Sequence, residues 1–389
     1  MSATESKDGG DAILERMNNN QVMGIYGTRK WRFLFLTFAL IIMIYAFDVL
    51  LDLRQFAPVG NHRNWTKFGY DRQASVHGRM KCKQFTAELP NITRERHALA
   101  PDAFYNLVFN NTYLDEIEFI HKAHGICDRE NVGEFLFMVK LISDATETAA
   151  SFRHAIRKTW GSVRKRSRWS IRVVFAIGQT ENTTRTNAID KESRRYGDIV
   201  QGTSADSYLK LADKTIMSFR WQQEYCSNAM YVFHGTHDIV VNMDKLIAWV
   251  DDFYLHNTSS ERVYFGYPMF NPRILHEGIY KLYSPVQWPA GKYPFYHPGH
   301  GIIYSMSFIR QMNAMFCRTP ITNPDDCYLG AIAEAMGAKE YYFRNFHADY
   351  NGKINKNVVY LHLGHTGKMK RNETEMYEWM AEIYNGFIK

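Results

Sequence analysis

Beyond Glu134 the sequence alternates between short apolar segments and longer amphipathic ones, and this alternation constrains the fold more than any other feature. The apolar segments predict buried strands at 135–142, 171–178, 198–200 and 230–233. The segments between and after them predict helices at 146–159, 188–196, 207–225 and 243–254. Strands and helices in alternation are typical of an α/β domain with a mostly parallel sheet. In such sheets ligands bind beyond the carboxyl ends of the strands, so residues at these ends are candidates for a site.

The N-terminal part contains an apolar segment with the length of a membrane span. Residues 33–47 are apolar except Thr37 and Tyr45, and three more apolar residues follow Asp48. A helix needs about 20 mostly apolar residues to cross the hydrocarbon core, so 31–51 predicts a transmembrane signal anchor. Basic residues at 29, 30 and 32 precede it, and the positive-inside rule then makes residues 1–30 cytosolic.

Two other interpretations of this segment are a cleaved signal peptide and a buried core helix. The first is disfavoured because about 30 mostly polar residues precede the segment and no clear cleavage site follows it. The basic flank and the N-terminal position disfavour the second. The sequence therefore divides into a cytosolic tail (1–30), an anchor (31–51), a stem with an N-terminal cap (52–130) and a lumenal domain (131–389).

Glycosylation motifs and cysteines also point to a lumenal domain. Six N-x-S/T motifs all follow the apolar segment, at Asn64, Asn91, Asn110, Asn182, Asn257 and Asn372. The five cysteines follow it too: Cys82, Cys127, Cys226, Cys317 and Cys327. An oxidising lumen would allow up to two disulfides and leave one thiol, with the pairing open.

The charge of the chain excludes some classes of partner. A formal net charge of +7 on 389 residues is mild. It is compatible with an anionic ligand such as a nucleotide sugar. The sequence has no basic stripe and no zinc-finger spacing, so we do not expect binding to nucleic acid.

Four segments carry motifs of a known family. They read R-H-A-I-R-K-T-W-G at 153–161, D-S-Y-L-K-L-A-D-K-T at 206–215, Y-P-F-Y-H-P-G-H-G at 293–301 and P-D-D-C-Y-L-G at 324–330. They resemble R-x-A-I-R-x-T-W-G, D-S-Y-x-N-L-T-x-K-T, Y-P-P-F-C-S-G-x-G and E-D-V-Y-x-G of the β1,3-galactosyltransferase and β1,3-N-acetylglucosaminyltransferase family, glycosyltransferase family 31. The resemblance covers roughly residues 134–365, with further matches at 192–200 and 358–362.

The resemblance implies a GT-A-like nucleotide-binding domain in the Golgi membrane. It implies transfer of galactose or an N-acetylhexosamine from a UDP-sugar to a glycan acceptor on protein or lipid, with inversion and a β1,3 linkage. The family has an acidic D-x-D motif at a strand end, where this chain reads Thr236-His237-Asp238. By resemblance, Asp238 and His362 are the ligands of a cation, and imidazole plus carboxylate suits Mn²⁺. His237 would add a ligand or contact the diphosphate, and His347 and His365 are alternates to His362.

The resemblance also assigns residues around the donor and the acceptor. Asp326, beside Asp325, takes the place of the acid that acts as base on the acceptor hydroxyl. The alternative is that these acids cap a helix, since 323–326 precede a helical segment. Arg153, Arg157 and Lys214 are expected near the donor phosphates. The alternative for the arginines is salt bridging.

The altered D-x-D motif leaves a second function open. Only its last acid, Asp238, is present. The alternative is therefore a catalytically inactive lumenal paralogue that binds glycans or acts as a chaperone-like partner of an active transferase. The sequence specifies neither the donor sugar, the acceptor nor the oligomeric state.

Overall fold

The computed structural model of the chain describes residues 82, 110–127, 134–140, 147–256, 262–270, 273–274, 292–364 and 371–388. The predicted tail, the anchor and most of the stem lie outside these residues. Within them, no helix has the length and apolar character needed to cross a membrane.

Twelve strands and seven α-helices form the part of the chain that the structure describes. The strands are β1 (Phe119–Lys122), β2 (Glu134–Lys140), β3 (Lys165–Arg166), β4 (Trp169–Gln179), β5 (Ile199–Ala205), β6 (Ala229–Thr236), β7 (Ile239–Val241), β8 (Val263–Gly266), β9 (Gly301–Ser305), β10 (Lys339–Tyr342), β11 (His347–Asp349) and β12 (Tyr360–His362). The helices are α1 (Glu147–Lys158), α2 (Thr183–Tyr196), α3 (Leu211–Tyr225), α4 (Met243–His256), α5 (Met306–Phe316), α6 (Asp325–Ala335) and α7 (Glu373–Ile388).

The large sheet is mixed, which corrects the prediction of a mostly parallel sheet. Its order among the described strands is β1-β5-β4-β2-β6-β9-β8-β10, with β3 paired to β4. The centre β5-β4-β2-β6 is parallel, whereas β9 runs antiparallel to both β6 and β8. The reason is that β8 ends at Gly266 on the same edge where β9 begins, since Gly266 pairs with Ile302. A chain that re-enters a sheet at the edge it has just left must run in the opposite direction.

The predicted helices are present with shifted ends. The helix predicted at 188–196 begins earlier, at Thr183, because Asn182 caps it by accepting a hydrogen bond from the Arg185 N–H at 3.0 Å. It ends where Gly197 takes a φ of 65°. The helix predicted from 207 begins at Leu211, after a 3₁₀ turn at Tyr208–Lys210.

The sheet separates two apolar cores. On one face Phe152 of α1, Leu246 of α4 and Met380 of α7 pack with the sheet. On the other face Ile216 of α3 and Phe308 of α5 do the same. Each fully buried side chain of this size contributes about 1.5–3 kcal/mol of transfer free energy, so these layers hold the sheet edge and the residues on it in place.

The covalent links agree with the expectation for an oxidising compartment. Cys82 is bonded to Cys317, and Cys127 to Cys226. Cys327 is a buried free thiol. The prediction of up to two disulfides with one thiol left over is therefore confirmed.

Candidate active site

The candidate site lies at the edge of the large sheet where β6 ends. Gly235 of β6 pairs with Gly301 at the start of β9, so the residues after β6 and before β9 share this edge. A second sheet, β11-β12-β7, begins directly beyond it. Its registers place His362 opposite Ile239 and beside Asp349. Strand β12 thus lies beside the segment that follows β6, and it brings His362 close to Asp238 as the resemblance implies.

Asp238 is a fully buried carboxylate whose two oxygens have different neighbours. Its side chain is 0% exposed. Its Oδ1 accepts a hydrogen bond from the Thr236 hydroxyl at 2.5 Å. Its Oδ2 has no hydrogen-bond partner and lies 3.4 Å from His362 Nε2. Burial opposes the charge, but His362, His237 and the Thr236 hydroxyl outweigh burial and hold the pKa of Asp238 well below its usual range.

Thr236 changes the chemistry of this position. It stands where the family has the first acid of the D-x-D motif, and it supplies a hydroxyl donor in place of a second charge. Because that hydroxyl binds Oδ1 of Asp238, Oδ2 is the oxygen that faces His362. The site therefore carries one negative charge fewer than the family pattern.

His362 is oriented by a second carboxylate that the sequence did not predict. Its Nδ1 lies 3.0 Å from Asp349 Oδ1, which leaves Nε2 directed at Asp238. Burial lowers the pKa of His362, but Asp238 and Asp349 outweigh burial and raise it overall. A carboxylate that fixes the far nitrogen is the usual arrangement for an imidazole that binds a metal. Asp349 lies in no motif, so only the register of β11 against β12 shows it.

Two further histidines, His300 and His347, lie near His362. The His300 ring stacks on it, with ring centroids 4.3 Å apart and planes at 14°. His347, an alternate to His362 in the sequence, has its ring 4.7 Å from His300. Burial lowers the pKa of His347 to about 4. His365, the other alternate, lies outside the described residues.

The pair Asp238 and His362 fits a divalent cation as a two-residue site. No group of three or more His, Cys, Asp or Glu side chains that could hold a metal is found among the described residues. Asp238 Oδ2 and His362 Nε2 would supply one oxygen and one nitrogen donor, with the cation in place of the ion pair that joins them in this structure. A cation bound there would take its other ligands from diphosphate and water, as Mn²⁺ and Mg²⁺ commonly do. The His237 ring is buried against Phe152, at 4.6 Å between centroids, and its charge also helps to lower the pKa of Asp238.

The two neighbouring acids at the start of α6 differ in environment. Asp325 is buried and accepts a hydrogen bond from the Thr215 hydroxyl at 2.6 Å, which ties α6 to α3. Asp326 is half-buried; its Oδ2 accepts from the Gly299 N–H at 3.1 Å and its Oδ1 from the Cys327 N–H at 2.9 Å.

The alternative that these acids cap the helix is wrong in its detail. Pro324 occupies the N-cap position, with no capping hydrogen bond from a side chain. Both acids lie in the first turn, where carboxylates favour the helix dipole. Of the two, Asp326 is the one with access to solvent.

The predicted phosphate-binding arginines form ion pairs inside the fold. Arg153 donates from Nε to Glu192 at 2.8 Å. Arg157 donates to Asp198 at 2.8 and 2.7 Å and lies 2.7 Å from Glu192. Burial opposes the charge of Glu192, but the two arginines outweigh burial and lower its pKa. These are the contacts of the salt-bridge alternative, and a phosphate-binding role for the arginines stays a prediction.

Lys214 is also paired in the interior. Its Nζ lies 2.5 Å from Asp206 Oδ1, and both side chains are 1% exposed. The other oxygen of Asp206 accepts from the Gly178 N–H at 3.2 Å, at the end of β4. The ion pair thus lies against the carboxyl end of β4. Contact of Lys214 with a nucleotide stays a prediction.

Comparison with known proteins identifies glycosyltransferases as relatives of this chain. The galactosyltransferase family model matches residues 151–344. UDP-GalNAc:beta-1,3-N-acetylgalactosaminyltransferase 1 of Mus musculus is 29% identical over 232 residues, which are 58% of this chain and 67% of that protein. Beta-1,3-galactosyltransferase 5 of Gorilla gorilla gorilla is 28% identical over 204 residues, 52% of this chain and 67% of that protein.

Among solved structures, apo mouse xyloside xylosyltransferase 1 covers 60% of this chain and 98% of its own. It has 11% identity and a TM-score of 0.34, a likeness too low to bear on activity. Through the domain at residues 151–344, the chain belongs to the galactosyltransferase family.

Proposed function

We propose that the protein is a hexosyltransferase that moves galactose or an N-acetylhexosamine from a UDP-sugar to a glycan acceptor, with inversion and a β1,3 linkage. Membership of the galactosyltransferase family supports this, as do the β-1,3 linkage and the sugars in its relatives' names. The observation that carries the proposal is the fully buried carboxylate of Asp238 at the end of β6, with its Oδ2 paired to His362 Nε2 at 3.4 Å. The pair provides one oxygen donor and one nitrogen donor for a divalent cation at the place where the family has its D-x-D motif.

On the donor side, Asp238 and His362 form the proposed cation site. Asp238 and His362 would hold Mn²⁺, and when bound the cation neutralises the charge that develops on the leaving UDP. Thr236 fixes the carboxylate of Asp238, and Asp349 fixes the imidazole of His362. The two donors are thus oriented before any ligand arrives, which reduces the reorganisation that binding requires.

On the acceptor side, Asp326 is the proposed base. As the acceptor oxygen attacks the anomeric carbon, the C–O bond to the diphosphate breaks and UDP leaves with the electron pair. The hydroxyl proton passes to the Asp326 carboxylate. Attack from the side opposite UDP in one step inverts the anomeric centre. The Gly299 N–H holds Oδ2 in place, and such a positioned base contributes about 10²–10⁴-fold to rate.

The cellular setting of the proposal rests on the sequence. The apolar segment 31–51 anchors the chain as a single-pass type II protein with its catalytic domain in the Golgi lumen. Two disulfides support an oxidising compartment. The asparagines of three glycosylation motifs, Asn110, Asn182 and Asn372, are exposed in the described part, as a lumenal surface requires.

A donor screen tests the proposed function. The purified full chain is incubated with Mn²⁺ and UDP-galactose, UDP-N-acetylgalactosamine or UDP-N-acetylglucosamine, with a mixture of glycan acceptors, and UDP release is measured. We expect release with one of these donors, and its loss in Asp326→Asn. No UDP release with any donor, together with no binding of UDP, would support the inactive paralogue instead.

A further inference from the structure

The turn formed by Gly299, His300 and Gly301 contacts both halves of the candidate site. The Gly299 N–H donates to Asp326 Oδ2, on the acceptor side. The His300 ring stacks on His362, on the donor side. The two contacts come from adjacent residues, so movement of one is transmitted to the other through a single peptide unit.

The His300 side chain is itself held by a contact with Tyr360. Its Nδ1 lies 2.8 Å from the hydroxyl of Tyr360, a fully buried residue of β12. Tyr360 and His362 are two positions apart on this strand, so their side chains lie on the same face. One side chain, His300, therefore contacts both of them.

The backbone of the turn has little freedom to move. A Cβ atom at Gly301 would lie 2.3 Å from the Tyr360 ring, so only glycine allows the phenol to pack there. Gly301 is also in register with Gly235, the residue before Thr236. The turn is thereby fixed against the segment that carries Asp238.

We propose that His300 is a positioning residue: its ring sets the plane of the His362 imidazole, and its backbone holds the Gly299 N–H on Asp326. One turn then fixes the distance between the ligand on the cation side and the base on the acceptor side. This inference deepens the proposed function and rests on it. His300 occupies the variable position of the family's G-x-G segment, so the motif itself does not assign it this role.

Three substitutions separate the contacts of His300. His300→Asn removes the stacking ring and retains a polar group near Tyr360. His300→Phe retains a flat ring and loses the hydrogen bond, and Tyr360→Phe loses the same bond from the other side. The matched control is His256→Asn, because the His256 side chain is 71% exposed on α4.

The first readout needs neither metal nor substrate. In the full chain labelled with ¹³C-histidine, the imidazole resonance of His362 is assigned from its absence in His362→Asn. A stacked ring shifts its neighbour's resonance, so we expect His300→Asn to move the His362 signal, Tyr360→Phe to move it less and His256→Asn to leave it in place. An unmoved His362 signal in His300→Asn overturns the proposal, whether or not the protein is an active enzyme.

The second readout follows UDP affinity with Mn²⁺ and turnover with acceptor. Loss of a residue that orients a metal ligand typically lowers metal affinity or activity about 10–100-fold. We expect His300→Asn to lower both UDP affinity and turnover, and His300→Phe to retain more of the affinity. The double variant His300→Asn, Asp326→Asn should lose less turnover than the product of the two single losses. Unchanged affinity and turnover in His300→Asn overturn the proposal. A parent protein that binds no UDP removes the proposed function instead, and the resonance shift still decides on positioning.

Discussion

His297 gives the structure a pH-dependent stability that can be calculated and measured. The residue stands in the cysteine position of the family motif and is fully buried. Its Nδ1–H donates to the Tyr267 carbonyl at 2.8 Å, whereas Nε2 is buried without a hydrogen-bond partner. Burial lowers the pKa of His297 to about 4, against smaller opposing effects of the backbone hydrogen bonds at Tyr267 and Tyr264.

The sign and size follow from linkage. The unfolded chain has a histidine pKa of about 6.5, so between about pH 6.5 and 4 it binds a proton that the folded protein does not. The stability is therefore fully present above pH 6.5 and is lost as pH falls toward 4. From the two pKa values, the free energy of unfolding falls by about 2 kcal/mol between pH 7.5 and pH 5 because of this residue alone.

The perturbation is His297→Asn, since an asparagine amide can still donate to the Tyr267 carbonyl but does not titrate. Urea denaturation at pH 7.5, 6 and 5 gives the free energy of unfolding of the parent and the variant. We expect their difference to change by about 2 kcal/mol over this range, in favour of the variant at low pH. The exposed control His256→Asn should follow the parent. Parallel pH curves for parent and His297→Asn would refute the argument.

Three further predictions concern charges in and around the site. Asp326→Asn should lower turnover about 10²–10⁴-fold and leave UDP affinity unchanged, by steady-state kinetics and calorimetry; an equal loss of affinity would argue against a base. Glu192→Gln leaves the buried guanidinium of Arg153 without its opposite charge and should lower the free energy of unfolding by about 3–5 kcal/mol. The control Asp244→Asn, in an exposed pair with Arg166, should change it by about 1 kcal/mol or less. Thr236→Asp adds a second buried carboxylate beside Asp238, so the melting temperature should fall without Mn²⁺ and recover with it; a fall that Mn²⁺ does not reverse would contradict the assigned cation site.

The parts of the fold that sequence could predict are those set by local periodicity. The central strands β2, β4 and β6 are mostly apolar, and the burial of their apolar residues on both faces follows from that pattern. The direction of β9 was not predictable in this way, because an apolar strand carries no mark of its orientation. It depends on where the connection from β8 crosses the edge of the sheet.

The site shows the same division. Asp238, His362 and Asp326 come from motifs, and the structure brings the first two within 3.4 Å. Asp349 and His300 were missed because their contacts depend on the register of β12 with its neighbours and on a turn before β9. Arg153 shows the opposite case. It occupies a position of the family motif, but Glu192 neutralises its charge, and sequence spacing does not identify Glu192 as its partner.

The measurement that tests the central claim most directly is calorimetry of UDP binding to the full chain, with and without Mn²⁺, in the parent and in Asp238→Ala. Asp238 and His362 are the residues assigned to the cation. We expect UDP to bind the parent only when Mn²⁺ is present, and Asp238→Ala to lose at least about tenfold in affinity while retaining its fold by circular dichroism. Binding of UDP that is equal with and without Mn²⁺, or equal in parent and Asp238→Ala, would contradict the assignment of this pair as the cation site of a transferase.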